Sequence, residues 1–215
     1  FFYCTFRINI LKCKESYRKV INLMELENII NFENVYVNYD IDSSTLRNIN
    51  LKIKNNENWA ILGGNGSGKS TLIKLFSNDL YPTTKYPFKK EIFGEENWNI
   101  FELKKNLGII TNDLHNTFGS QGKYITAYEV ILSGFYSSIQ IFNHQDFTKE
   151  QHQKVLEVLE FLEILELKDK KVHQMSTGQL RRCIIGRALI HDPKAFILDE
   201  PTVGLDIKSQ HSFIK

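Results

Sequence analysis

Along the chain, short apolar runs separated by polar turns give way to residues at helical spacing. Between Val35 and Leu62 three runs, Val35–Val37, Leu51–Lys54 and Trp59–Leu62, read as strands. The last leads into a glycine-rich stretch, and a helix is predicted after it from Lys69 to about Phe76. Glu91–Phe93 and Leu107–Ile110 read as further short strands. Over Thr148–Lys168 the period changes. Val155, Leu159, Leu162 and Leu165 recur at helical spacing, with Glu157, Glu160 and Glu163 turned elsewhere, which predicts an amphipathic helix. A second helix is predicted from Gln179 to Ile190, stopping before Pro193. Ala195–Leu198 is apolar throughout and reads as a buried strand.

Composition narrows the picture. The 215 residues are 42% hydrophobic and 24% charged, enough for one globular domain, or one with an insertion, that buries its core without disulfides or metals. Residues 1–23 carry Arg7, Lys12, Lys14, Arg18 and Lys19 against Glu15, a net +4. The whole chain is +2, so the remainder is −2 and gives no electrostatic case for broad nucleic-acid binding. Cys4, Cys13 and Cys183 form neither a metal spacing nor a disulfide framework, which fits a reducing, cytosolic setting. No apolar run approaches the length that crosses a membrane, so a membrane role is expected to come through a partner chain. The first Met is Met24. In residues 1–23 an aromatic stretch precedes the basic residues, the reverse of a signal peptide. They are read as an extension outside the fold, with the domain at 24–215.

The candidate chemistry begins at Gly63-Gly64-Asn65-Gly66-Ser67-Gly68-Lys69-Ser70, followed by Thr71. Strand, glycine-rich loop, Lys-Ser and helix follow in the order of a phosphate-binding loop. Glycines let the backbone curl so that its N–H groups face phosphate oxygens. The following helix adds its positive end, Lys69 is placed for the β- and γ-phosphates, and the Ser70 hydroxyl for Mg²⁺. Downstream, the apolar run Ala195–Leu198 ends in Asp199-Glu200. A buried strand tipped by two carboxylates is the Walker B arrangement. Asp199 is the candidate Mg²⁺ residue, and Glu200 the candidate for polarising an attacking water. A solvated acidic turn is the plainer reading of those two residues when they are taken alone.

Between these motifs lies Met175-Ser176-Thr177-Gly178-Gln179-Leu180-Arg181-Arg182. It resembles the signature Leu-Ser-Gly-Gly-Gln of ABC-type ATPases, with Met for Leu and Thr for the first Gly. Pro201-Thr202-Val203-Gly204-Leu205-Asp206 resembles their D-loop. With the phosphate loop and the Walker B strand this makes four motifs in family order, and the resemblance covers Glu33 to Asp206. It implies an α/β fold: a P-loop NTPase (RecA-like) core with an N-terminal antiparallel β subdomain and an inserted α-helical subdomain at about 113–175. Ser176 is also a natural N-cap for the helix that follows. In the family that helix end faces the γ-phosphate held by the opposite subunit. Tyr39 sits where the family places an adenine-stacking aromatic, the alternative being a core strand tyrosine. Asp206 matches the D-loop aspartate that communicates across the dimer. Cys183 and Trp59 are read as packing residues. The family's Gln at the end of Leu107–Ile110 is replaced by Asn112, one methylene shorter, so a contact to Mg²⁺ or the lytic water is expected to need a bridging water. The resemblance also implies one more strand after the D-loop, set between Trp59–Leu62 and Ala195–Leu198, with a switch histidine at its end. His211 lies too close to Asp206 to be that histidine. Without that strand the two neighbours are expected to face a gap.

The function implied is ATP binding and Mg²⁺-assisted hydrolysis by two cassettes closing head to tail, as a homodimer or tandem. The expected partners are transmembrane permease subunits, on the cytoplasmic face of a membrane. The aromatics of Thr117–Phe147 (Phe118, Tyr124, Tyr128, Phe135, Tyr136, Phe142 and Phe147) are read as part core and part docking surface. Glu57–Leu62 before the loop, the missing Gln and the Ser-Thr-Gly-Gln form of the signature resemble the molybdate-transport-type subgroup. The alternative is a soluble ABC ATPase acting on nucleic-acid complexes, and the third reading is a non-enzymatic ATP sensor.

Overall fold

The computed structural model describes residues 3–7, 27–40, 43–55 and 57–199. In chain order the elements are β1 (Tyr3–Arg7), β2 (Asn28–Asp40), β3 (Ser43–Lys54), β4 (Asn58–Leu62), α1 (Lys69–Phe76), β5 (Lys89–Ile92), α2 (Ile100–Asn106), β6 (Leu107–Ile110), α3 (Asn112–Ser120), α4 (Ala127–Leu132), α5 (Lys149–Phe161), α6 (Thr177–Leu189) and β7 (Ala195–Asp199). Two compact units result, Phe1–Leu103 with Lys194–Ile197 and Lys104–Pro193 with Leu198–Lys215.

In the first unit β3, β2 and β5 form an antiparallel sheet in that order. The expected strands Val35–Val37 and Leu51–Lys54 lie within much longer ones. Ile30 and Phe32 are buried at even positions of β2, Val35 and Val37 at odd ones. Strict alternation would turn one pair to solvent. A register shift between Phe32 and Val35 resolves this, with Asn34 in the left-handed region at φ 55°. The Asn34 backbone N–H donates to Asn50 Oδ1 at 3.0 Å, which holds the bulge. Phe32 then stacks on Phe76 of α1 at 5.4 Å, so the sheet anchors the helix behind the glycine-rich loop.

A second sheet has the order β4-β1-β7-β6. Strand β1 runs antiparallel to β4, with Tyr3 opposite Leu62 and Arg7 opposite Asn58. Two expectations are corrected here. Tyr3–Arg7 is part of the sheet and not outside the fold, and β4 and β7 do not face a gap. Tyr-Cys-Thr-Phe favours extended backbone, and adjacent strand edges present N–H and C=O groups that an extended segment satisfies.

The second unit is helical. The side-chain oxygens of Thr111, Thr126 and Thr148 cap α3, α4 and α5, the last two as capping boxes with Glu129 and Gln151. Helix α5 is shorter than the predicted Thr148–Lys168. It closes at Leu162, Glu163 takes φ 54°, and Leu165–Leu167 continues as a separate 3₁₀ turn. A Cβ on Gly186 would lie 2.9 Å from Ile131 Cδ1, so a larger residue there would make the Ile131 side chain shift where α4 and α6 pack.

Candidate functional site

The phosphate loop belongs to the first unit. Gly66 and Gly68 have φ of 76° and 92°, a region that side chains disfavour. A Cβ on Gly68 would also lie 2.7 Å from Leu46 Cδ2, and one on Gly63 would lie 2.5 Å from Ser67 Oγ. Gly68 ends the loop as the N-cap of α1 with no side-chain cap, and Leu72 N–H donates to Gly68 O at 2.9 Å. Lys69 folds over the loop and donates to the carbonyls of Gly63 and Gly64 at 2.9 and 2.8 Å. Asn65, Ser67 and Ser70 are exposed, while Thr71 is buried under the first turn. The ammonium thus stands within the curled backbone, where an anion held by the loop would meet it.

The signature segment belongs to the second unit. Ser176 caps α6: its hydroxyl accepts from Gln179 N–H at 3.2 Å, and Gln179 Oε1 accepts from Ser176 N–H at 3.1 Å. Lys170 Nζ adds a bond to the same Oε1 at 3.0 Å. Ser176 and Thr177 are exposed, Gly178 and Gln179 half-buried, so the capped turn lies at the surface of its unit. Asn112 opens α3 directly after β6, and its Oδ1 accepts from Arg181 Nη2 at 3.1 Å. No local pattern points to that partner: Arg181 follows the signature on a helix, and only its 2% exposure marks it as inward-facing. Cys183 is fully buried and burial pushes its thiol up to about 12, which agrees with its reading as a packing residue. Trp59 is half-buried and its indole N–H donates to Glu57 Oε2 at 2.9 Å.

Asp199 is the half-buried last residue of β7. Tyr39 lies in β2, and its side chain is outside what the structure describes. Glu200 and Asp206 lie outside the described residues, as does His211. Among the described residues no helix is long and apolar enough to cross a membrane.

The family profile described as ABC transporter matches residues 46–203, from Leu46 in β3 through the phosphate loop, the signature and the start of the D-loop segment. The chain belongs to the ABC transporter ATP-binding family. Over 179 residues this cassette is 34% identical to the energy-coupling factor transporter ATP-binding protein EcfA3 of Clostridium perfringens, covering 83% of this chain and 59% of the relative. It is 35% identical over 178 residues to the ABC transporter ATP-binding protein ModF of Escherichia coli, covering 80% and 34%. Among solved structures it superimposes on cbiO1 of Clostridium perfringens, described as part of the ABC transporter complex cbiONQ. The TM-score is 0.67 at 28% identity, over 87% of this chain and 71% of that one. The cassette therefore spans under two thirds of the length of both curated relatives. The near-equal identities to EcfA3 and ModF speak for the family and not for a subgroup within it.

Proposed function

We propose that this cassette binds and hydrolyses ATP and that hydrolysis drives transport through separate membrane subunits. The observation that carries the reading is the pairing, on one chain, of a left-handed glycine loop closed by Lys69 with an exposed, Ser176-capped helix start in the signature segment. The first can hold the triphosphate of its own nucleotide. The second suits a phosphate brought by another cassette, because a capped turn offers N–H groups and a positive helix end outward. Two cassettes in head-to-tail contact complete each other's sites.

In this reading Gly63–Thr71 takes the phosphates, Tyr39 the adenine, Ser176–Gln179 the γ-phosphate in trans, and Asp206 relays across the dimer. Mg²⁺ fits the donor set: the exposed Ser70 hydroxyl and the Asp199 carboxylate are the hard oxygen ligands that ion prefers. When bound it neutralises charge on the phosphate oxygens. Glu200 accepts the proton of the attacking water. Docking to membrane subunits at the cytoplasmic face falls to Tyr124, Tyr136 and Phe142, which are exposed, whereas Phe118 is core.

Glu200→Gln keeps the shape of the side chain and removes the base. The variant is expected to bind ATP as tightly as the parent, to turn over at least a hundredfold more slowly and to accumulate as an ATP-bound dimer on size exclusion. Parent-like turnover in that variant would return Glu200 to a solvated strand end.

A further inference from the structure

Asn112 does not stand alone on α3. Residues three apart on a helix share a face, which puts His115 beside it. Asn112 Oδ1 accepts from Arg181 Nη2 at 3.1 Å. The His115 ring lies against the Thr177 backbone and in the field of the Arg181 charge, with its Nε2 buried and without a hydrogen-bond partner. Both residues therefore address the first turns of α6, Asn112 through a side chain one turn beyond the signature and His115 at the signature itself. Arg181 is 2% exposed, so its guanidinium is held in place and cannot swing to solvent. On the other side Asn112 is fixed by its surroundings. It follows β6, of which Leu107 and Ile110 are buried, and the Thr111 cap locks the turn through Leu114 N–H at 3.2 Å.

This arrangement differs from one in which residue 112 serves the nucleotide bound to its own chain. A hydrogen bond to a charged donor is stronger than one between neutral groups, and the Asn112 carbonyl is already committed to one. The shorter side chain suits that partner. Glutamine would carry its amide one methylene further, past the position where Oδ1 meets Arg181.

We propose that Asn112 is a positioning residue for the signature turn: through Arg181 it holds the start of α6, and so Ser176–Gly178, in the orientation that receives a phosphate from the opposite cassette. The proposal rests on the head-to-tail reading above. It assigns residue 112 to the site of the other subunit and not to that of its own.

Mixed dimers separate the two assignments. One subunit carries Lys69→Ala, which weakens its ATP binding; at an ATP concentration that fills only the other subunit, the bound ATP faces the signature of the Lys69→Ala subunit. Asn112→Ala placed in the Lys69→Ala subunit is expected to lower kcat about tenfold with little change in KM. The same substitution in the ATP-binding subunit is expected to change kcat less than twofold. Asn112→Asp retains an acceptor for Arg181 and is expected to restore most of the loss. A larger loss in the ATP-binding subunit, an equal loss in both, or no rescue by Asp overturns the proposal. A second measurement needs no turnover: amide hydrogen exchange at Thr177–Leu180 should quicken about tenfold in Asn112→Ala, while exchange at Gly63–Lys69 stays as in the parent. Unchanged exchange at Thr177–Leu180 overturns the link itself. Faster exchange there, in a protein whose unmutated dimer hydrolyses no ATP, would instead overturn the ATPase reading.

Discussion

The phosphate loop and the signature turn both address phosphate, yet they are built in opposite ways. The loop is a backbone object contained in nine consecutive residues. Its shape comes from Gly66 and Gly68 in the left-handed region, and its lysine bonds the carbonyls of Gly63 and Gly64. The signature turn is a side-chain object assembled from distant parts of the chain. Ser176 and Gln179 close the cap, Lys170 reaches in from the preceding segment, and Asn112 bonds Arg181 from sixty-nine residues away. A backbone device is fixed by which residues lack a side chain. A side-chain device is fixed by what packs around it. The first should therefore fail sharply at single positions and the second by degrees.

The largest effect should follow from Lys69→Ala. It removes the one cation inside the loop and leaves the curled backbone intact. Charge-assisted hydrogen bonds contribute about 1.5–3 kcal/mol, so ATP affinity by titration calorimetry should fall by roughly 10- to 100-fold. The melting temperature should hardly move. Undiminished affinity would mean that the ammonium does not leave the Gly63 and Gly64 carbonyls for a phosphate.

Next comes Gly68→Ala. A side chain at φ 92° costs about 1–2 kcal/mol, and the added Cβ at 2.7 Å from Leu46 Cδ2 forces that leucine or the loop to move. Both stability and ATP affinity should fall, in contrast to Lys69→Ala, where only affinity does. A variant as stable as the parent would show that the loop does not need its left-handed residue.

Ser176 tests the other side of the comparison with a smaller effect. Losing an N-cap costs about 1 kcal/mol, so Ser176→Ala should lower the chemical denaturation midpoint accordingly. Ser176→Asp keeps a cap acceptor, and with it the stability, but sets a negative charge where the proposed trans phosphate must approach. Turnover in the Asp variant should therefore fall below that of the Ala variant although its fold is sounder. The reverse order would leave Ser176 with a capping role alone.

The same contrast explains what the sequence made legible. Strand β6 and helix α1 were read to the residue, and the loop between β4 and α1 was read whole, because each is decided by neighbours in sequence. The cap of α6 was legible for the same reason. Helix α5 was overextended: apolar spacing runs on through Leu165, and no glycine or proline marks the turn at Glu163. The bulge at Asn34 and the insertion of β1 beside β4 depend on which strand edges meet, and no local pattern records that. Helices α3 and α4 were missed as elements, although Thr126 and Glu129 are a capping box that could have shown α4. The Asn112–Arg181 bond was beyond local reading, so residue 112 looked like a weakened family residue and not one with a different partner.

The smallest and last test comes from two cations whose surroundings lower their pKa, one in each unit. Arg187 donates to the Ser138 carbonyl at 3.2 Å and lies over the Phe118 ring, and burial pushes it down to about 10. Lys90 donates to Asn78 Oδ1 and lies over the Tyr81 ring at 5.3 Å, and burial pushes it down from 10.5 to about 8. Both values lie below those of the unfolded chain. Between the folded and unfolded values the unfolded state binds more protons, so stability rises with pH in that window. For Arg187 the window opens near pH 10, above ordinary working conditions. For Lys90 it opens near pH 8 and runs towards 10.5. From pH 7 to 8.5 the parent should therefore gain somewhat under about 1 kcal/mol, and the gain should come from the unit that carries the phosphate loop. Lys90→Met removes the titrating group and fills the same space, so its denaturation midpoint should be flat over that interval and higher than the parent's at pH 7. An equal rise with pH in Lys90→Met would place the titrating group elsewhere and leave Lys90 charged at its position in β5.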